Sequence, residues 1–157
     1  MISVGVVRLD RDLQTTFKAT FAPISPGWIA DALAISNLTR QQHEAYPEPS
    51  IGMKDFRIFL ETHCNGSRPV FMSDNPAFDW QWVNYYFHRY EGVNPFGHSG
   101  RRIGDLHAGL VGRFGAGSEW KAFRKTRHTH DPVDDAKGNA EALLHMADLF
   151  KLKIPGI

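Results

Sequence analysis

With 157 residues, 42% of them hydrophobic and 22% charged, the chain has the length and composition of one globular domain. A net charge of +1 gives no global basic field, so a nucleic-acid partner would have to be met by a local groove rather than by bulk attraction. The single cysteine, Cys64, excludes an intrachain disulfide and a thiolate zinc site; with no signal-like start and no apolar run near the ~20 residues of a membrane span, the expectation is a cytoplasmic protein without a membrane segment.

The opening run Met1-Ile2-Ser3-Val4-Gly5-Val6-Val7 is β-branched and only half alternating, the pattern of a strand covered on both faces. A polar stretch over 8–14 and a second β-rich run over 15–21 predict a hairpin, ended by Pro23 and Pro26. Short helices are expected over 28–36 and 39–45, the second with Thr39 as N-cap answered by Gln42. A longer helix follows over 51–63, with Ile51, Phe56, Phe59 and Leu60 assigned to its inner face. The turn Asn65-Gly66-Ser67 leads into a strand at Pro69-Val70-Phe71-Met72 and then a helix over 77–90. Beyond it come a short edge strand at 101–104, a helix over 105–114 and a helical turn at 119–124. The last helix, over 133–150, carries Ala136, Ala140, Leu143, Leu144 and Ala147 on one stripe. Helices interleaved with few strands predict one α/β domain across 1–157, a mixed β-sheet flanked by helices.

Two segments carry chemistry. His130-Asp131-Pro132-Val133-Asp134-Asp135-Ala136 sets a histidine five positions before an aspartate at the mouth of a helix. Upstream, Asn75-Pro76-Ala77-Phe78-Asp79 follows a strand and opens a helix. Phosphodiester hydrolysis needs an activated water, charge neutralisation on the phosphoryl oxygens and help for the leaving alkoxide. Two divalent cations about 3.5–4 Å apart meet these needs. Carboxylate oxygens suit Mg²⁺ or Mn²⁺, and a histidine suits removal of the water proton.

In this order the segments resemble the second and third exonuclease motifs of the DEDDh 3′–5′ exonucleases, the family of ribonuclease T, oligoribonuclease and the proofreading subunit of bacterial replicative polymerases. The run Ala32-Leu33-Ala34-Ile35-Ser36-Asn37-Leu38-Thr39 resembles that family's helix before a Gly-Leu-Thr turn, and the resemblance spans residues 1–147. It implies a ribonuclease H-like exonuclease fold. Asp79 and Asp135 would be metal-site carboxylates for Mg²⁺ or Mn²⁺ and His130 the general base, with Asn75 and Phe78 in the substrate groove. The implied substrates are single-stranded RNA or DNA 3′ ends, the products nucleoside monophosphates; many stand-alone relatives are dimers, so a homodimer fits the resemblance.

One departure stands out. The family's first motif, Asp-x-Glu on the opening strand, has no counterpart, because Met1–Val7 matches the family's second strand. The resemblance therefore implies a fold lacking its first strand, which would lie between the hairpin and the strand at 69–72, and a Met1 that is an internal methionine. Loss of such a strand leaves two rows of backbone groups to be satisfied otherwise. Asp10 and Asp12 have Asp-x-Asp spacing but read as turn residues.

Other readings stand beside this one. A catalytically degenerate exonuclease-fold module would bind nucleic acid or protein without cleaving, and an unrelated α/β domain would carry the motifs by chance. His128 and His130 form His-x-His, yet two ligands fall short of the three or four that a transition-metal site needs. Trp80, Trp82, Tyr85, Tyr86 and Phe87 read as core rather than as a base-stacking platform. Arg101, Arg102 and the cluster Lys121, Arg124, Lys125, Arg127 read as solvated surface, the second cluster being placed to meet phosphates before His130.

Overall fold

Residues 1–155 and 157 are described by the computed structural model. The expected hairpin forms from β1 (Ser3–Val7) and β2 (Thr16–Thr20), antiparallel, in a register running from Ser3 opposite Thr20 to Val7 opposite Thr16. Its turn is tied by aspartates: the Leu13 N–H donates to Asp10 Oδ1 at 2.8 Å and the Gln14 N–H to Asp12 Oδ1 at 3.0 Å. This is the turn role that short acidic side chains fill by bonding nearby backbone.

Helices α1 (Ala30–Ala34) and α2 (Arg40–Glu44) are short, and α2 opens with the reciprocal Thr39–Gln42 capping box read from the sequence. Helix α3 (Pro49–His63) buries Gly52, Met53, Phe56 and Leu60. Ile51, assigned to that inner face, is instead exposed. It precedes Phe56 by five residues, which turns it about 140° away on a helix of 3.6 residues per turn.

Strand β3 (Phe71–Ser73) leads into α4 (Pro76–Tyr90), and β4 (Gly100–Arg102) pairs with β3 in parallel. Helix α5 (Ile103–Val111) and 3₁₀ turns at Phe114–Ala116 and Glu119–Phe123 precede the long helix α6 (Pro132–Phe150). The architecture is α/β, but the single mixed sheet expected from the sequence is replaced by two ladders, β1–β2 antiparallel and β3–β4 parallel. Among the described residues no strand pairs with both, so nothing joins the ladders by backbone bonds.

Two apolar clusters hold these layers. Phe21, Met53, Phe56, Tyr86 and Phe87 fill the space between the hairpin, α3 and α4, and both Val4 of β1 and Phe71 of β3 contribute to the same cluster. Ile103, Trp120, Ala142, Leu143 and Met146 join α5, the second 3₁₀ turn and α6. Full burial of each large side chain contributes roughly 1.5–3 kcal/mol. Gly5 makes room for α6: a Cβ there would collide with the carbonyl of Pro132, so the glycine lets the start of α6 lie directly on β1. Among the described residues no helix is long and apolar enough to cross a membrane.

Candidate hydrolytic site

Both sequence segments build the same local object, a helix start with an aspartate at its fourth position. In α4 the order is Asn75, Pro76, Ala77, Phe78, Asp79; in α6 it is Asp131, Pro132, Val133, Asp134, Asp135. Proline suits the first helical position because its missing N–H would have no intrahelical partner there. The amide of Asp79 donates to Asn75 O at 2.9 Å, and that of Asp135 to Asp131 O at 3.0 Å. Each carboxylate thus sits in a first turn, near the positive end of the helix dipole.

The segment before α6 is a constructed turn. Asp131 caps the helix, accepting from the amides of Val133 at 2.9 Å and Asp134 at 3.4 Å, and pairs with Lys18 on β2. Lys18 holds the Asp131 carboxyl below its ordinary range, with the capping amides adding to the effect against some burial. The Thr129 hydroxyl donates to Asp134 Oδ2 at 2.8 Å and accepts from the Asp131 amide at 3.2 Å. His130 itself is held at φ 64°, in the left-handed region, which most non-glycine residues avoid.

That turn gathers side chains the sequence leaves apart. The ligand atoms of His128, His130 and Asp135 all lie within 4.8 Å of one another, and the two imidazole rings meet edge-on with centroids 4.3 Å apart. His128 Nδ1 is 2.6 Å from Asp135 Oδ1. That oxygen is wholly buried and, among the described residues, has no well-aligned hydrogen-bond donor, so the contact is a close approach rather than a formed hydrogen bond. Arg124 lies 3.6 Å from the same oxygen, its guanidinium lying over Gly138; a Cβ at Gly138 would fall 2.5 Å from Arg124 Nε. Glu141 fastens the neighbouring strand of chain to α6, accepting from the amides of Lys125 and Thr126 at 2.8 and 2.7 Å.

A groove of about 350 Å³ opens beside this cluster, lined by Asp74, Lys121, Arg124, Thr126 and His128. Lys121 Nζ bridges it to Asp74 Oδ2 at 2.8 Å. The groove therefore brings the residue following β3 against the residues preceding α6. Of the basic cluster read from the sequence, Lys121 and Arg124 line it, whereas Lys125 and Arg127 are exposed and outside the lining.

Asp79 does not join the histidine cluster among the described residues. It is half-buried, and burial raises its carboxyl above the ordinary value; the Ser73 hydroxyl and Asn75 backbone oppose that shift, and the charge of Asp74 reinforces it. No cation lies within ion-pair distance of it among the described residues. Asn75 is exposed and makes no capping bond. Phe78 is 58% exposed and heads an aromatic line on α4, with Trp82 at 39% and Tyr85 at 43%, continued by Arg89, which donates to the Tyr85 hydroxyl at 2.8 Å. Positions 78, 82, 85 and 89 follow helical spacing, so this line is a surface and not the core expected for Trp82 and Tyr85. Trp80, by contrast, packs on Phe71 with centroids 5.2 Å apart, and Tyr86 and Phe87 are fully buried as expected.

Sequence reasoning counted His128 only as half of His-x-His and gave no place to Asp74, Thr126 or Glu141. They are brought to the site by contacts distant in sequence, Glu141 to Lys125 and Thr126 and Lys121 to Asp74.

No protein-family model matches the chain. It is similar to a 3′–5′ DNA exonuclease of Escherichia coli, Cap18, with 28% identity over 158 aligned positions that cover 97% of this chain and 81% of that protein. A likeness running almost end to end supports a 3′–5′ exonuclease kind of protein.

Proposed function

We propose that the chain is the catalytic fold of a Mg²⁺- or Mn²⁺-dependent 3′–5′ exonuclease of the DEDDh type, with a ribonuclease H-like arrangement, that removes nucleoside monophosphates from single-stranded 3′ ends. The observation carrying this reading is the convergence of His130 and Asp135 beside a groove lined by Lys121 and Arg124. Likeness to an enzyme named for DNA favours DNA over RNA as the substrate.

The donor set fits hard dications. Asp79 and Asp135 offer carboxylate oxygens, and the buried Asp135 Oδ1, lacking an aligned donor, is free to accept a cation in place of His128. Held by Asp79 and Asp135, Mg²⁺ or Mn²⁺ would supply charge neutralisation at the phosphoryl oxygens and the departing 3′-oxygen. His130 accepts the proton of the attacking water. Lys121 and Arg124 hold the phosphate by charge-assisted hydrogen bonds, and Asn75 and Phe78 orient the terminal nucleotide. The line Phe78, Trp82, Tyr85 gives unpaired bases aromatic faces on which to stack.

Asp79 and Asp135 alone balance only half the charge of a metal pair. A second reading, a module that binds without cleaving, draws on one observation: Asp135 already lies against His128 and Arg124, apart from Asp79. The test separating them is digestion of a 5′-labelled single-stranded oligonucleotide with Mn²⁺. Stepwise shortening with mononucleotide release, abolished by chelation, is expected; binding without shortening would overturn the enzyme reading in favour of the module.

A further inference from the structure

The grouping of His128, His130 and Asp135 has a donor chemistry that a Mg²⁺ site does not use. Two imidazole nitrogens and one carboxylate oxygen form a set suited to Zn²⁺ and its transition-metal neighbours, whereas Mg²⁺ and Ca²⁺ take oxygen. The sequence supplied two of these ligands; folding supplies the third, by bringing the first turn of α6 to the His-x-His segment.

Geometry is close to what a dication needs. Bonds of about 2.0–2.2 Å to zinc put ligand atoms roughly 3.3–3.5 Å apart around a tetrahedral ion. The contact between His128 and Asp135, at 2.6 Å, must open slightly, and the widest separation, within 4.8 Å, must close. Both histidines are exposed, so their rings turn without repacking the interior. The backbone beneath them is already fixed: the left-handed His130, the Thr129–Asp134 bond and the Asp131 cap hold the turn closed without a metal. A cation at a helix N-terminus meets the unfavourable end of the dipole, but Asp131, Asp134 and Asp135 place three carboxylates in or beside that first turn. Arg124, 3.6 Å from Asp135 Oδ1, must swing aside.

We propose that His128, His130 and Asp135 form a transition-metal site that takes Zn²⁺, with a fourth position open to water or a phosphate oxygen. Occupation by Zn²⁺ engages the lone pair that His130 uses as a base, so zinc holds the hydrolytic centre off while Mg²⁺ or Mn²⁺ leaves His130 free. The inhibitory consequence rests on the exonuclease reading; the metal site itself does not.

The experiment is a Co²⁺ absorption titration of the full chain without nucleic acid, followed by displacement with Zn²⁺. One Co²⁺ per chain, with visible bands of a low-coordinate nitrogen–oxygen set, displaced by stoichiometric Zn²⁺ but not by excess Mg²⁺, is expected. His128→Ala and His130→Ala should each weaken Zn²⁺ binding by about tenfold or more. Their circular dichroism should match that of the parent, because both side chains are exposed. Unchanged Zn²⁺ affinity in the doubly substituted His128→Ala, His130→Ala chain, or no Co²⁺ uptake by the parent, overturns the site. A chain that binds Co²⁺ through both histidines but digests no oligonucleotide keeps the site and sinks the enzyme reading. An active exonuclease whose zinc binding ignores both histidines does the reverse.

Discussion

The starts of α4 and α6 are built alike and behave differently. Each has an Asn or Asp cap position, a proline at the first helical residue and an aspartate at the fourth. At α6 the cap side chain is engaged, Lys18 reaches across from the hairpin, and Asp135 lies between His128 and Arg124. At α4 the Asn75 side chain caps nothing, and Asp79 is half-buried with its carboxyl pushed up in pKa by desolvation. One backbone device thus sets one aspartate against an imidazole and a guanidinium and leaves the other half-buried without an ion-pair partner among the described residues. The α6 start is secured as structure, whereas at the α4 start burial pushes the Asp79 carboxyl up with no ion-pair partner among the described residues, the kind of perturbation that recurs at functional sites.

The largest effect that would break this contrast concerns His130. His130→Ala should lower the rate of oligonucleotide digestion by about 10²–10⁴-fold, the usual contribution of a general base, while Mn²⁺ binding measured by electron paramagnetic resonance persists. A wild-type rate would detach the α6 turn from catalysis.

Next in size is the capping difference. Asp131→Ala should cost about 1 kcal/mol of stability in urea unfolding, from loss of the cap, whereas Asn75→Ala should cost nothing measurable because it removes no cap bond. Since the folded state depresses the Asp131 pKa, its contribution is full above the ordinary value of 3.8 and is lost as pH falls through the lower folded value. The gap between the two variants should therefore narrow in acid.

Asp79 gives the smallest effect, with the opposite sign. Its folded pKa is raised, so the fold favours the neutral carboxyl and loses that advantage as pH rises through the folded value. Asp79→Asn should raise the thermal midpoint modestly at pH 7, and the gain should vanish below about pH 3.8, where both states hold the proton. A fall in midpoint at pH 7 would mean that Asp79 has a favourable partner in the folded protein.

Local pattern made much of this legible beforehand. The hairpin, the Thr39–Gln42 box and helices α3, α4 and α6 follow from periodicity and capping chemistry that act within a few residues. Non-local choices were not legible. A three-residue strand such as β3, expected at 69–72 and found at Phe71–Ser73, is placed by pairing with β4, and no composition announces that partner. The two aspartates and His130 were readable as motifs, but the company each keeps was not. His128 meets Asp135 across a turn in which His130 has a positive φ, and Trp82 faces solvent while Trp80 packs on Phe71. Both are decided by tertiary packing rather than by residue type.

The measurement that bears most directly on the central claim is the digestion rate of a 5′-labelled single-stranded DNA by the full-length protein, compared across Asp79→Asn, Asp135→Asn and the double substitution, with Mn²⁺ present. If the two helix starts form one metal centre, each single change should slow digestion by about 10²–10⁴-fold and the double should be little worse than the poorer single, because residues acting as a unit are strongly non-additive. Wild-type digestion by the Asp79→Asn protein would contradict the account and leave α6 without its partner.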